Sequence, residues 1–284
     1  MSVTGEHPLQ LGQPLQTALQ RQTGAKAVVA VGSGKGGVGK TTVSVNLAVA
    51  LARAGAAVGL LDADVYGPNV PLMLGVTQLP PMQGDQLVPA VAHGVKVMSM
   101  GFLIKADEPV IWRGPMLHGV IKKFLNEVAW GPLDYLLVDL PPGTGDVQLT
   151  LSQAIPLTGA VIVTTPQDVA LLDVRRAMAM FAKVRVPLVG IIENMSTFVC
   201  PSCRTETPIF RRGGGRATAE QAQVPLLGEI PLVPSVCEHG DTGTPIVAAE
   251  PDSPPARAFT DAARQMADRV RTLAAPGSPQ FVGL

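Results

Sequence analysis

Short apolar runs separated by helical patterns occupy most of the chain from Lys26 onward. Six of these runs are apolar throughout rather than alternating, which is typical of strands buried on both faces. They are AKAVVAVG, AAVGLLDAD, VKVMSM, DYLLVDLPPG, GAVIVTTP and VPLVGIIENM. Helical periodicity lies at 41–55, 115–130, 146–155 and 168–184, with Asp168 as a candidate N-cap of the last helix. We therefore predict an α/β fold with a mostly parallel, twisted sheet and helices on both faces.

The two ends of the chain differ from this pattern. Residues 1–25 are rich in Gln, and we predict a short N-terminal appendage there, one domain over 26–275 and a C-terminal tail over 276–284. The segment 256–275 has one apolar helical face and mixed charges opposite. This pattern predicts a helix that covers the sheet, because a membrane-binding helix would be rich in lysine.

Composition narrows the possible partners. The 284 residues are 46% hydrophobic, which is enough for one large core. The 22 basic residues equal the 22 acidic ones, so no net charge attracts nucleic acid or anionic lipid, and we expect neither as a partner. No apolar run approaches the ~18 residues of a membrane span, and the first residues lack a basic leader, so we expect a cytoplasmic protein. Three cysteines are too few for a disulfide scaffold, which favours a reducing compartment.

A glycine-rich loop after the first predicted strand carries the most specific motif. The sequence GKGGVGKT fits G-x-x-x-x-G-K-[ST] and lies between a strand and a helix, where loop amides can bind phosphate. Lys40 would neutralise phosphate charge, and the Thr41 hydroxyl would ligate Mg²⁺. The candidate nucleotide-binding residues here are Gly34, Lys35, Gly36, Gly37, Val38, Gly39, Lys40, Thr41 and Thr42.

Two other interpretations of this loop stay open. Gly32, Gly34 and Gly37 also match the dinucleotide-binding fingerprint G-x-G-x-x-G, with Asp62 near the expected distance for a ribose-binding acid. That interpretation leaves the Gly-Lys-Thr end of the motif without a function. A purely structural glycine turn is the second alternative.

Acidic residues at the ends of two other predicted strands belong to the same edge. Asp139 is placed to hold Mg²⁺ through water, although an Asp that only caps a turn is an alternative. Asp62 and Asp64 end the second strand, near enough to orient an attacking water or one bound to magnesium. The loop after Asp139 brings the Gly143 amide within reach of a γ-phosphate, and its shape would change when that phosphate leaves.

With Lys35 included, KGGVGKT resembles the deviant Walker A motif of the MinD-type P-loop ATPases. Further segments make the chain similar to the Mrp/ApbC-type iron–sulfur carrier ATPases over residues 27–250. These segments are LLDADVYGPNVP, MSMGFL, WRGPM, DLPPGTGDVQLTL, VTTPQDVALLD, MFAKVRVPLVGIIENMS and FVCPSC.

The resemblance implies roles for particular residues. It implies a homodimer in which Lys35 contacts the phosphates of the partner subunit and takes part in catalysis together with Lys40. It further implies that Asp64 lies in switch I beside the attacking water, that residues 139–146 form switch II, and that Asn194 recognises adenine. One departure is Arg211, where the family commonly has a glycine; if that glycine has a positive φ, the local turn changes here.

Cys200 and Cys203 are the candidate iron ligands. Their two-residue spacing lets both thiolates face one metal, but two sulfurs fill only half of a tetrahedral or cubane site. Two such pairs on the axis of a C₂ dimer would supply four thiolates, enough for a [4Fe–4S] cluster between subunits. A redox dithiol, a bridging zinc and a structural pair are the alternatives. Cys237 has no second cysteine nearby, and we expect its side chain to be buried or partly buried.

Together these observations and the resemblance predict an ATP-hydrolysing carrier that uses ATP, Mg²⁺ and a [4Fe–4S] cluster. Its expected partners are a second copy of the chain, apo iron–sulfur proteins and a cluster-assembly scaffold. The alternative is a MinD/ParA-like positioning ATPase that acts on membrane or DNA.

Overall fold

The computed structural model describes residues 23–84, 86–103 and 114–274. Nearly all of the proposed N-terminal appendage and the whole C-terminal tail lie outside these ranges. The strands are β1 (Ala25–Ser33), β2 (Val58–Asp62), β3 (Ala90–Ala92), β4 (Val95–Ser99), β5 (Leu133–Asp139), β6 (Gly159–Thr164), β7 (Leu188–Val199), β8 (Glu206–Thr207) and β9 (Leu226–Leu232). All six predicted strands are present.

The helices include every one that the sequence predicts. They are α1 (Lys40–Arg53), α2 (Val70–Met73), α3 (Gly114–Asn126), α4 (Asp146–Ala154), α5 (Asp168–Lys183), α6 (Gly214–Gln221), α7 (Pro234–Asp241), α8 (Ile246–Ala249) and α9 (Pro254–Ala274). The helix predicted to reach Trp130 ends at Asn126. None of the helices in the described part of the chain combines the length and apolar composition needed to cross a bilayer.

The described strands form one nine-stranded sheet. Its order is β3-β4-β2-β5-β1-β6-β7-β8, with β9 also paired to β7. The β3–β4 and β7–β8 pairs are antiparallel, and all other neighbours are parallel. The prediction of a mostly parallel sheet is therefore confirmed, and the carboxyl ends of β1, β2 and β5 lie side by side at one edge.

Helices cover both faces of the sheet because consecutive residues of its strands point to opposite sides. In β1, Val29 and Val31 pack in one core cluster with residues of α1 and α9, whereas Val28 and Ala30 pack in a second with residues of α3, α4 and α5. On α9, Phe259, Ala263, Met266 and Val270 are buried and Leu273 is partly buried, so the predicted apolar face does cover the sheet.

Several elements were not predicted from the sequence. The longest strand among them is β9, whose sequence LLGEIPL contains Gly, Glu and Pro and lacks the continuous apolar run of the other parallel strands. Its position follows from pairing with β7. Likewise, β7 continues beyond the predicted run to Val199, where it pairs with β8.

Candidate functional site

The glycine-rich loop joins β1 to α1 at the carboxyl edge of the sheet. Gly37 and Gly39 have φ values of 79° and 76°, the left-handed region that glycine adopts most easily. Gly39 is the N-cap of α1 and has no side chain to occupy the free N–H groups of the first turn. Those donors, with the helix dipole, are suited to an anion.

Lys40, the first residue of α1, lies between two carboxylates. Its Nζ atom is 2.7 Å from Oδ2 of Asp139 and 3.5 Å from Oδ2 of Asp64. Lys40 and Asp139 are buried, so water screens this pair little. The sequence prediction that these three residues share one site agrees with this geometry.

Asp139 also accepts hydrogen bonds from two hydroxyl groups of α1. Thr41 Oγ1 donates to Oδ2 at 2.8 Å, and Ser44 Oγ donates to Oδ1 at 2.5 Å. Sequence analysis did not single out Ser44. Its signal was its spacing: it lies one turn after Lys40 and therefore on the same side of the helix.

Asp62 is fully buried and organises the loop that follows β2. Its carboxylate accepts hydrogen bonds from Ser99 Oγ at 2.9 Å and from the backbone N–H groups of Asp64 and Val70, both at 3.2 Å. Burial, followed by the nearby negative charge of Asp139, raises the pKa of Asp62 to about 8. Burial also raises the pKa of Asp64.

A cavity of about 600 Å³ lies against the glycine-rich loop. Nine of the predicted site residues line it: Lys35, Gly36, Gly37, Val38, Gly39, Lys40, Thr41, Thr42 and Asp64. Tyr66 and Met73 contribute from the segment after β2, and Val236 and Asp241 from α7. The volume falls within the range of small-molecule sites.

Five other residues predicted for the nucleotide site do not line this cavity in the described structure: Gly34, Asp62, Asp139, Gly143 and Asn194. Gly34 lies against α5, where an added Cβ would be 2.3 Å from the Asp173 carbonyl carbon. The Gly143 N–H donates to the Ser33 carbonyl at 3.0 Å, so this amide is bonded to the end of β1. The Asn194 amide donates to the Val38 carbonyl at 2.9 Å.

Cys200 and Cys203 lie in the turn that connects β7 to β8. Cys200 donates its N–H to the Thr205 carbonyl at 3.1 Å and accepts from the Arg204 N–H at 2.8 Å, which closes the turn. Cys200 is half-buried and Cys203 is exposed. This hairpin contrasts with the helix N-terminus typical of thioredoxin-like pairs and gives no support to a redox dithiol of that kind.

The surroundings of the Cys203 thiol lower its pKa. It lies 3.2 Å from Thr205 Oγ1. Hydrogen bonds with Thr205, and then with Cys200, lower the pKa of Cys203 to about 7. A thiol with this pKa is largely thiolate just above neutrality, the form that binds metal. Within the described residues, no group of three or more His, Cys, Asp or Glu side chains is arranged to hold a metal ion, so this pair alone does not complete a site.

Comparison with known proteins identifies the family of this chain. The model of the NUBPL iron-transfer P-loop NTPases matches residues 24–267. The chain belongs to this family. Two relatives named iron–sulfur cluster carrier protein, from Synechocystis and Deinococcus radiodurans, are 53% and 56% identical; the matches cover 95% and 88% of this chain and 77% and 72% of theirs. The Arabidopsis iron–sulfur protein required for mitochondrial NADH dehydrogenase is 49% identical, over 91% of this chain and 83% of its own.

Solved structures of related folds agree with membership of this P-loop family. A nucleotide-binding protein from Archaeoglobus fulgidus, solved with ADP, has a TM-score of 0.73 at 38% identity, covering 85% of this chain and 94% of its own. The cell-division ATPase MinD of Pyrococcus furiosus has a TM-score of 0.65 at 26% identity, with coverages of 85% and 98%. The P-loop interpretation of the glycine motif is thereby favoured over the dinucleotide fingerprint.

Arg211, the departure from the family pattern noted in the sequence, has a left-handed backbone. Its φ is 74°, a conformation that a residue with a Cβ adopts at a cost. Its guanidinium pairs with the Asp168 carboxylate. The prediction that Asp168 caps α5 was wrong: the N-cap is Gln167, and Asp168 is the first helical residue.

The expectation for Cys237 was also wrong. This side chain is exposed on α7 and lines the cavity, with its sulfur 3.8 Å from an Asp241 carboxylate oxygen. This eight-residue helix has one buried position, so most of its side chains lie outside the core. No apolar run marked this helix in the sequence.

Proposed function

We propose that this chain is an ATP-hydrolysing iron–sulfur cluster carrier that holds a [4Fe–4S] cluster between two subunits and delivers it to apo-proteins. One observation carries the proposal: a two-thiol turn with an ionisable cysteine lies at the end of the strand that also contacts the P-loop. The names of the relatives support the same cargo. A cluster-assembly scaffold would supply it.

The P-loop cavity is suited to ATP with magnesium. Thr41 lines the cavity, and its Oγ1 lies 2.8 Å from Oδ2 of Asp139. Two oxygen atoms of the kind that Mg²⁺ prefers as ligands are therefore close together. Bound there, the ion would neutralise charge on the phosphates. Lys40 would turn from Asp139 toward the phosphates, and the loop amides would hold them in line.

Hydrolysis requires two further contributions. Asp64 lines the cavity and would orient the attacking water, which displaces ADP from the γ-phosphorus to give phosphate. Lys35 also lines the cavity, and in a dimer it would reach the phosphates of the partner subunit. Contact between the γ-phosphate and the Gly143 amide would require its hydrogen bond to Ser33 to break, which links nucleotide state to switch II.

The cluster site would be completed by symmetry. The turn of one chain offers two thiols, and a C₂ dimer presents this turn twice, which gives the four thiolates of a [4Fe–4S] cluster. Because Cys203 is exposed in the single chain, a second copy of this turn has access to it.

Anaerobic reconstitution tests this proposal. Iron, acid-labile sulfide and molar mass would be measured for the wild type, the Cys200→Ala/Cys203→Ala double variant and Cys237→Ala as the matched control. We expect about four irons and four sulfides per dimer in the wild type and in the control, and neither in the double variant. If the double variant still binds and transfers the cluster, Cys200 and Cys203 are not its ligands. ATP hydrolysis by wild type and Lys40→Ala tests the nucleotide half separately.

A further inference from the structure

Asn194 links the middle of β7 to the glycine-rich loop. Its Nδ2 donates to the Val38 carbonyl oxygen at 2.9 Å, across 156 residues of sequence. Asn194 is 6% exposed and Val38 is 2% exposed, so water competes little for this bond. A buried amide donor aimed at a loop carbonyl is a specific contact that neither the loop motif nor the strand pattern requires.

The backbone around this contact is shaped to fit it. A Cβ added at Gly39 would lie 2.2 Å from Nδ2 of Asn194, so the amide occupies the space that any other residue would need. Gly39 has a φ of 76°, and Met195, next to Asn194, has a φ of 56°. Glycine adopts this conformation easily, but Met195 has a Cβ, so its left-handed backbone beside this hydrogen bond depends on support from the surrounding structure.

The bond also determines where a phosphate-binding donor points. The chain has no cis peptide among its described residues, so the carbonyl of Val38 and the N–H of Gly39 point in opposite directions across their shared peptide plane. Because the carbonyl points to Asn194, the Gly39 N–H points away from it. In the described structure Gly39 lines the cavity and Asn194 does not. An N–H that points away from Asn194 would therefore be available to a phosphate bound in the cavity.

We propose that Asn194 is a positioning residue for the P-loop, which orients the loop amides for the phosphates whatever base the nucleotide carries. The inference rests on the proposed nucleotide binding and deepens it. It is compatible with recognition of adenine, since the side chain retains one N–H and its oxygen. The two roles differ in what they predict for a ligand that has no base.

Magnesium tripolyphosphate is that ligand. Its affinity and that of Mg-ATP would be measured by calorimetry for wild type, Asn194→Asp and Asn194→Ala. Asp has nearly the same shape as Asn but lacks the N–H donor. The Asp variant therefore tests the hydrogen bond even if the alanine variant folds poorly. Asn126→Ala, an exposed site at the end of α3, is the matched control for loss of an amide. Hydrogen–deuterium exchange of the peptide covering residues 34–42 would be followed in parallel.

The proposal expects both ligands to bind roughly tenfold more weakly to either Asn194 variant, the size of one hydrogen bond in a buried site. Exchange in residues 34–42 would quicken, and the control would match the wild type. Weaker binding of Mg-ATP with unchanged tripolyphosphate affinity would overturn it, since that result assigns Asn194 to the base alone. A lower melting temperature with unchanged affinities and unchanged loop exchange would also overturn it.

Failure of the proposed function gives a different result. If the wild type binds neither ligand, the nucleotide proposal fails. The exchange experiment then still decides whether Asn194 orders the loop: quickened exchange supports the contact and unchanged exchange overturns it.

Discussion

Two glycines of the P-loop are required for different reasons, one for lack of space and one for its backbone conformation. Alanine substitutions at these two positions, with a third in α3 as the control, separate the two reasons. At Gly34 an added Cβ would lie 2.3 Å and 2.5 Å from backbone atoms of Asp173, which cannot move without α5. At Gly37 nothing lies within 4 Å, but φ is 79°. At Gly119, on the exposed side of α3, nothing lies within 4 Å and the backbone is helical.

The magnitudes follow from these environments. Gly119→Ala should stabilise the protein by about 0.5–1 kcal/mol, the difference between Ala and Gly inside a helix. Gly37→Ala should destabilise it by about 1–2 kcal/mol, the cost of a left-handed conformation. Gly34→Ala should cost about 1–3 kcal/mol or more, because the overlap is with backbone, and should also displace the loop and weaken Mg-ATP binding most strongly.

Thermal unfolding at one protein concentration measures the series. For a domain of this size, each 1 kcal/mol shifts the melting temperature by about 2–4 °C. The expected order of melting temperatures is Gly119→Ala, wild type, Gly37→Ala and Gly34→Ala, from highest to lowest. The reasoning is refuted if Gly34→Ala is as stable as the wild type, since backbone overlap would then have no cost at this position.

Three further predictions concern single contacts. Ser44→Ala should destabilise the protein by about 1.5–3 kcal/mol in thermal unfolding, because Ser44 bonds a buried carboxylate of Asp139. Burial raises the pKa of Glu193, so its charged form is disfavoured in the folded state. The melting temperature of the wild type should therefore fall relative to that of Glu193→Gln as the pH rises from about 4.5 through the raised pKa. Arg211→Gly should be about 1 kcal/mol more stable than Arg211→Ala in thermal unfolding, since both lose the pair with Asp168 and only Gly relieves the left-handed backbone.

Each has a control and a contrary result. Ser152→Ala is the match for Ser44→Ala, because Ser152 is buried and its hydroxyl has no partner among the described residues; equal losses at the two sites would contradict the role of the carboxylate. For Glu193, a melting-temperature difference that does not vary with pH would show that its pKa is not raised. An Arg211→Ala variant as stable as Arg211→Gly would show that the left-handed φ has no cost.

Short-range patterns made the fold and the P-loop predictable. A buried parallel strand needs a continuous apolar run, and the phosphate loop needs its glycines and lysine in a fixed order, so both are written in consecutive residues. The strand β9 has no such run, since Glu229 and Pro231 interrupt it. An edge position, where β9 pairs only with β7 among the described strands, tolerates both residues. Its strand conformation comes from pairing with residues far away in sequence.

The contacts within the site were predictable only in part. Asp139, Lys40 and Asp64 could be grouped because strand ends meet at one edge of the sheet. The bond from Asn194 to Val38 could not, since only the folded chain brings these residues together. The exposure of Cys237 likewise depends on how α7 lies across the cavity.

The strand β7 carries Asn194 and leads into the turn of Cys200 and Cys203, so its backbone sets the spacing between the two proposed sites. Asn194 contacts the P-loop and Cys200 begins the thiol turn six residues later, which is at most about 20 Å along the chain. This segment is not a regular strand: Met195 has a left-handed φ of 56°, and the pairing of β7 with β9 shifts register between Asn194 and Phe198. Alternation along a strand therefore does not set the direction of the thiols. The length and the irregular backbone of these six residues together fix where the thiols lie relative to the nucleotide cavity, and any insertion or deletion here would move one proposed site against the other.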